Sequence, residues 1–325
     1  MKKSRLTLFS SAVFIAAAVI VFSVFSLFAD RPAPGPADTP GFYRAAAIPG
    51  VAHEHVPGMT GHLNGVAARI NEQGWRGGGI EMPKPAGNVR IVVTGDSVVF
   101  GQGVEENSTL AVQLEKKIEA LAPAKKWETI NAGVRGYNIK DYALIFKPRV
   151  LALDPDLVVL VITEINDPER VPFIPHSPKM DRWKRAWWTR LPFIRPLLAL
   201  PVAEEMGRLL TAHVRGLYDP AGPEWPAFLK ELTDIVNASR EAHVAIIVVT
   251  FPYLDDADVF HDERARLQRA LTELGVPWID PRPELARHAS SALVVSRNDF
   301  HPNALALGIT AGLLAGTVVR EFIQQ

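Results

Sequence analysis

Five short apolar runs constrain this chain more than any other feature: Arg90–Thr94, Thr129–Ala132, Leu157–Ile162, Val244–Thr250 and Val276–Asp280. Arg90–Thr94, Leu157–Ile162 and Val244–Thr250 are rich in Val, Ile or Leu without the polar alternation of a strand with one wet face, so they read as strands buried on both sides, and the two other runs read as short strands of the same sheet. Stretches with helical spacing lie between them. Leu110, Leu114, Ile118 and Leu121 come after Asn107-Ser108 as candidate cap, and Phe228, Leu232, Ile235 and Val236 mark a second amphipathic segment. Residues 139–151, 262–274 and 303–323 complete the set. Strands that alternate with helices must be joined by crossovers, and this predicts an α/β domain with a five-stranded parallel sheet covered on both faces. Residues 42–87 show neither period and read as an irregular lead-in with short extended pieces.

The amino terminus sets the expected compartment. Leu6 to Ala29 is a run of 24 residues without a charge. At about 1.5 Å per residue it would extend roughly 36 Å as a helix, enough for a hydrocarbon core of about 30 Å. Lys2, Lys3 and Arg5 precede it, whereas Asp30, Arg31 and Asp38 nearly cancel after it. The positive-inside tendency then keeps the amino terminus cytoplasmic and exports everything beyond Asp30. Two readings stay open, a retained transmembrane anchor and a cleaved signal sequence. The anchor is favoured because the best cleavage site, Leu27-Phe28-Ala29, puts a large residue where a small one is wanted. Residues 30–41, with four prolines, read as a stiff spacer between bilayer and domain.

Composition excludes several classes of function. The chain has no cysteine, so disulfide scaffolds, thiolate metal sites and cysteine nucleophiles are absent. Its 35 basic and 35 acidic residues cancel, and no global field favours nucleic acid. His53, His55 and His62 have Glu54 as their only acidic neighbour and read as exposed loop histidines rather than metal ligands. No cofactor is implied.

In a parallel α/β sheet, ligands bind beyond the carboxyl ends of the strands. Gly95-Asp96-Ser97 comes after the first strand, Asn131 to Gly136 after the second, and Glu164-Ile165-Asn166-Asp167 after the third, while Asn298-Asp299-Phe300-His301-Pro302-Asn303 precedes the last helix. A serine at a strand end, a histidine near a carboxylate and groups able to donate hydrogen bonds are the requirements of acyl transfer. These four ordered segments resemble the SGNH or GDSL hydrolases, which are esterases and lipases. The resemblance spans about residues 88–323 and implies a three-layer, flavodoxin-like α/β/α fold. It implies Ser97 as nucleophile and first oxyanion donor through its N–H, Gly136 as second donor, Asn166 as third through its side chain, and His301 as base.

Two positions depart from the family pattern. Glu164 stands where the third segment usually has glycine, and would either crowd the oxyanion side or point away. Asn298 stands where the last segment usually has aspartate, which leaves Asp299 to orient His301. Asp96 is expected to hold the nucleophile loop by hydrogen bonds, and Asp167 to cap the segment after it.

The stretch from Pro168 to about Pro223 reads as an insertion. Between residues 179 and 195 it carries six basic residues and three tryptophans against Asp181. Three readings fit it: a cap packed on the core, contact with an anionic membrane surface, or recognition of an acidic substrate. Together these features predict a membrane-anchored, extracytoplasmic serine esterase. It would remove a short, acetyl-like group from an envelope glycan, lipid or small molecule. Acyl transfer to an envelope polysaccharide and a non-catalytic scaffold are the alternatives.

Overall fold

A computed structural model of the chain describes residues 37–169, 195–254, 258–297 and 299–323. The apolar run 6–29, most of the basic, tryptophan-rich segment and Asn298 lie outside the described residues. Among the described residues no helix is long and apolar enough to cross a membrane.

The elements in chain order are β1 (Tyr43–Arg44), β2 (Glu54–His55), β3 (Thr60–Leu63), β4 (Val66–Arg69), β5 (Asn88–Gly95), α1 (Ser97–Phe100), α2 (Leu110–Leu121), β6 (Lys126–Gly133), α3 (Ile139–Ile145) and β7 (Leu157–Thr163). They continue with α4 (Arg195–Leu217), α5 (Glu224–Glu241), β8 (Ala245–Phe251), α6 (His261–Glu273), β9 (Trp278–Ile279), α7 (Arg282–Leu285), β10 (Val294–Ser296), β11 (Asp299–Pro302) and α8 (Ala304–Ile323).

The five expected strands form one parallel sheet in the order β6-β5-β7-β8-β9. In sequence order of these strands that is 2-1-3-4-5, the flavodoxin-like winding, and its switch point lies between β5 and β7. Successive strand residues point to opposite faces. Ile91 and Val93 of β5 and Leu157, Val159 and Val161 of β7 join one core with Leu110, Leu114 and Ile118 of α2 and Leu307, Leu314 and Val318 of α8. The intervening Val92, Val158, Leu160 and Ile162 are equally buried on the other face. On the described helices α2 pairs with α8 and α3 with α5.

Several boundaries differ from the sequence expectation, each for a local reason. The cap of α2 is Thr109 rather than Asn107-Ser108, because Glu106–Ser108 closes into a 3₁₀ turn first. The expected helix 139–151 is α-helical only to Ile145 and then widens into a π turn, Phe146–Val150. Pro148 within that turn has no N–H to continue the α ladder. The last strand is two residues long, an edge strand with Trp278 exposed. Helix α4 falls within the expected insertion.

The lead-in is more ordered than its composition suggests. β1 pairs with β2 and β3 with β4, both antiparallel. Phe42, Leu63, Ala68 and Ile70 bury a small core against Phe100 of α1. The end of the expected spacer already belongs to this layer, since Thr39 donates its N–H to His62 O (2.8 Å) and His62 returns its own to Thr39 Oγ1 (3.0 Å). The three histidines are not alike: His55 is buried, His53 is half-buried, and only His62, on β3, is exposed.

Candidate active site

β5 ends at Gly95, and the chain turns at once into the four-residue helix α1. Asp96 caps it, accepting from Val98 N at 2.8 Å through Oδ1. Ser97 is thereby held at the carboxyl edge of the sheet, beside the switch point. The turn sits against β6 so closely that a Cβ on Gly133 would overlap Phe100 N and lie 2.7 Å from Val99 C, which only glycine avoids. From the other side Arg76 of the lead-in is buried and donates to Phe100 O and Gly101 O through Nη1 and to Val104 O through Nη2, each at 2.7 Å. Burial pushes its pKa down to about 10.

The hairpin β10–β11 brings the other two residues to Ser97. His301 Nε2 lies 2.9 Å from Ser97 Oγ, and His301 Nδ1 lies 2.5 Å from Asp299 Oδ1, which also accepts the His301 backbone N–H at 3.1 Å. A proton on Nδ1 facing the carboxylate leaves Nε2 as acceptor for the serine hydroxyl, the tautomer that base catalysis needs. Partial burial alone would raise the Asp299 carboxyl. Hydrogen bonds from the His301 ring and backbone and from the Gln102 amide outweigh it and hold the group below the usual carboxylate range.

The expected oxyanion donors converge unevenly. Among the described residues, neither Ser97 nor Gly136 spends its backbone N–H on a turn, loop or cap. Gly136 lines the same cleft as Ser97 and has φ +78°, a left-handed conformation in which a side chain would be strained. Asn166 donates one Nδ2 hydrogen to Asp96 Oδ2 at 2.9 Å. An amide nitrogen has a second hydrogen, and a flipped amide would set Oδ1 against the carboxylate, so the donor orientation is fixed by Asp96. Thr163 Oγ1 also donates to Asp96, at 3.3 Å. Asp96 thus holds the nucleophile loop as expected. Asp167 does not cap the segment after it. Fully buried, it accepts from Thr163 N (2.6 Å) and Tyr142 Oη (2.8 Å), reaching back to the strand end.

Glu164 points away from the oxyanion side. It is buried, with Oε1 accepting from Tyr253 N and Oε2 from Arg264 Nη1 at 2.7 Å. Burial pushes its carboxyl up to about 7, against the opposing pull of Arg264. The folded pKa exceeds the ordinary value of about 4.3, so stability contributed by the protonated form is lost as pH rises from about 4.3 to about 7. Glu164→Gln, which cannot ionise, is expected to lose that slope. Glu164→Ala leaves a cavity and takes the carboxylate partner from the buried Arg264, and is expected to cost about 3 to 5 kcal/mol in urea unfolding. A variant as stable as the parent would show that the carboxyl is not part of the interior.

Ser97 opens into a cleft of about 470 Å³ lined by Tyr43, His53, Gln102, Arg135 and Gly136. His53 Nε2 meets Arg135 O at 2.8 Å, and Tyr137 donates its hydroxyl to His53 O at 2.5 Å. Gln102 Nε2 lies 3.1 Å from His301 Nδ1, and its Oε1 accepts from Arg135 Nε at 2.7 Å. Among the described residues no group of three or more His, Asp or Glu side chains is arranged to hold a metal. An activatable hydroxyl, an oriented imidazole and free N–H donors together can perform acyl transfer through a covalent serine intermediate.

The structure brings Ser97, Asp299, His301, Gly136 and Asn166 to one edge of the sheet. Four cleft residues are not among the site residues read from the sequence, where His53 appears only as a loop histidine. Gln102 and Arg135 carry a usable signal, since Arg135 lies in the Asn131 to Gly136 segment, one before Gly136, and Gln102 follows the first strand-end segment, five residues after Ser97. Tyr43 and His53 carry none, because they reach the cleft only through the packing of the lead-in.

The family described as GDSL-like Lipase/Acylhydrolase matches residues 93–306, well over half of the chain. No curated protein matches it. Among solved structures, an α/β hydrolase enzyme from the metagenome of Lake Arreo, Spain, is 20% identical with a TM-score of 0.46, over 71% of this chain and 95% of that one. An acetylxylan esterase from Geobacillus stearothermophilus is 17% identical with a TM-score of 0.44, over 72% and 93%. An acetyl xylan esterase is 15% identical with a TM-score of 0.46, over 71% and 100%.

Proposed function

The chain belongs to the GDSL-like lipase/acylhydrolase family and is a hydrolase of ester bonds, and from this we propose that it is an extracytoplasmic serine esterase that removes short acyl groups from an oxygen of an envelope glycan or lipid. Ser97 Oγ attacks the ester carbonyl while His301 Nε2 takes its proton. The N–H groups of Ser97 and Gly136 and the free Asn166 amide hydrogen receive the oxyanion, each such donor typically being worth about 2.7 to 4 kcal/mol. Collapse expels the alcohol, which leaves with the proton from His301. Water then attacks the acyl-serine by the same route in reverse, returning the carboxylic acid and the free enzyme.

The observation that carries the catalytic reading is the unbroken chain of hydrogen bonds from Asp299 through His301 to Ser97. The preference for a short acyl group is supported by the cleft lining, where Tyr43, His53, Gln102 and Arg135 stand around Ser97 and none of the described lining residues offers an aliphatic side chain to a long chain. The compartment is supported by the uncharged run 6–29 and the basic residues before it.

An ester series tests this reading. The protein is expected to hydrolyse p-nitrophenyl acetate with kcat/KM at least about tenfold above p-nitrophenyl octanoate, because each buried CH₂ of a long chain gains about 0.8 kcal/mol only where apolar wall meets it. A steady rise in kcat/KM with chain length would contradict the short-acyl assignment. Turnover that appears only when a sugar acceptor is added would make the protein a transferase with the same serine.

A further inference from the structure

We propose that Arg135 sets the specificity of this cleft and that the acyl carrier is itself an acid, bearing a carboxylate beside the ester, as an O-acylated uronic acid does; the inference rests on the esterase reading above. Arg135 stands on the loop between β6 and Gly136, is half-buried and lines the cleft into which Ser97 opens. Its Nε is committed to Gln102 Oε1 at 2.7 Å and its backbone oxygen to His53 Nε2 at 2.8 Å, so both ends of the residue are held. The Tyr43 hydroxyl interacts with the guanidinium. Among the described residues no carboxylate pairs with Arg135, whereas the similarly half-buried Arg149 has Glu54 at 3.1 Å.

A partly desolvated cation without a counter-charge is costly unless a ligand supplies one. With Nε tied to Gln102 and the Tyr43 hydroxyl against one side of the guanidinium, the Nη N–H groups left over are preset in direction, and a planar fork matches a carboxylate in two parallel hydrogen bonds. Its single positive charge balances the single charge of a carboxylate, whereas a phosphate dianion would keep a charge uncompensated. Because Gln102 bridges Arg135 to the Asp299–His301 pair, the anion would be bound at a fixed offset from the reacting hydroxyl. That offset is what positions an ester for attack.

The experiment compares acetyl esters of a methyl glucuronide, the matching methyl glucoside and a sugar phosphate, using the full-length protein at low and high salt. The acidic sugar is expected to be preferred over the neutral one by about 10- to 100-fold in kcat/KM, chiefly through KM, as a charge-assisted bidentate contact would give. The preference should shrink as salt screens it. Arg135→Gln should remove the preference and Arg135→Lys should keep part of it. If Arg135 only braced Gln102, Arg135→Gln would slow acidic and neutral esters by the same factor, and that result overturns the proposal. So does equal use of acidic and neutral sugars by the parent, and a phosphate favoured over the carboxylate overturns the choice of anion. Hydrolysis of p-nitrophenyl acetate runs alongside: if no ester at all is turned over, the esterase reading fails first and this inference with it.

Discussion

Replacing Ser97 by alanine is expected to lower kcat for ester hydrolysis by roughly 10⁴- to 10⁶-fold while leaving the free energy of unfolding within about 1 kcal/mol of the parent. The size reflects the loss of the covalent route: only acceleration by oxyanion donors and binding remains. The fold should tolerate the change because among the described residues the hydroxyl hydrogen-bonds only with His301 Nε2, while the turn is held by Asp96, Arg76 and the close approach of Gly133. Steady-state turnover and circular dichroism of the same preparation check both halves. A variant retaining a tenth of parental turnover would remove Ser97 from the nucleophile role.

Asp299→Asn should lower kcat by about 10⁴-fold, whereas Asn298→Ala should change it only a few-fold. The reasoning is local to the hairpin. Asp299 Oδ1 accepts both the ring Nδ1–H and the backbone N–H of His301. An amide there stabilises imidazolium poorly and can impose the wrong tautomer on the ring. Stability should change with a definite sign. The Asp299 pKa is lowered in the folded state, so the carboxylate adds stability above about pH 4 and loses that contribution as pH falls through the lowered pKa. Asp299→Asn forfeits it across the neutral range. Equal losses of kcat from Asp299→Asn and Asn298→Ala, or the reverse order, would mean that another group orients the histidine.

Much of the architecture is legible in the sequence because it depends on local pattern. Ile91 to Val93, Leu157 to Ile162 and Ile246 to Val249 are apolar without interruption, and only a strand covered on both faces gives such a run a place. Once the strands are in order, the winding places their carboxyl ends together, and Ser97, Gly136 and Asn166 are residues just beyond those ends. The parts that escape a sequence reading depend on long-range packing. The hairpin that carries Asp299 and His301 is two short strands with no clear alternation, and its link to Ser97 spans 204 positions of sequence. The lead-in reads as irregular since Gly77 and its neighbours break every period, yet Arg76 donates to Ala67 O within it and to Phe100 O, Gly101 O and Val104 O at and after the nucleophile turn. Glu164 illustrates the same limit. Its position beside Asn166 suggests a role at the oxyanion, but direction is decided by Arg264, 100 residues later.

Covalent capture of the serine tests the account most directly. The protein is incubated with an alkyl fluorophosphonate, digested, and the adduct located by mass spectrometry, with the His301→Ala variant treated in parallel. One phosphonyl group per chain on Ser97, with activity lost in proportion to labelling and labelling slowed greatly in His301→Ala, is the predicted result. An active protein that remains unlabelled, or an adduct on any other residue that tracks the loss of activity, would contradict it.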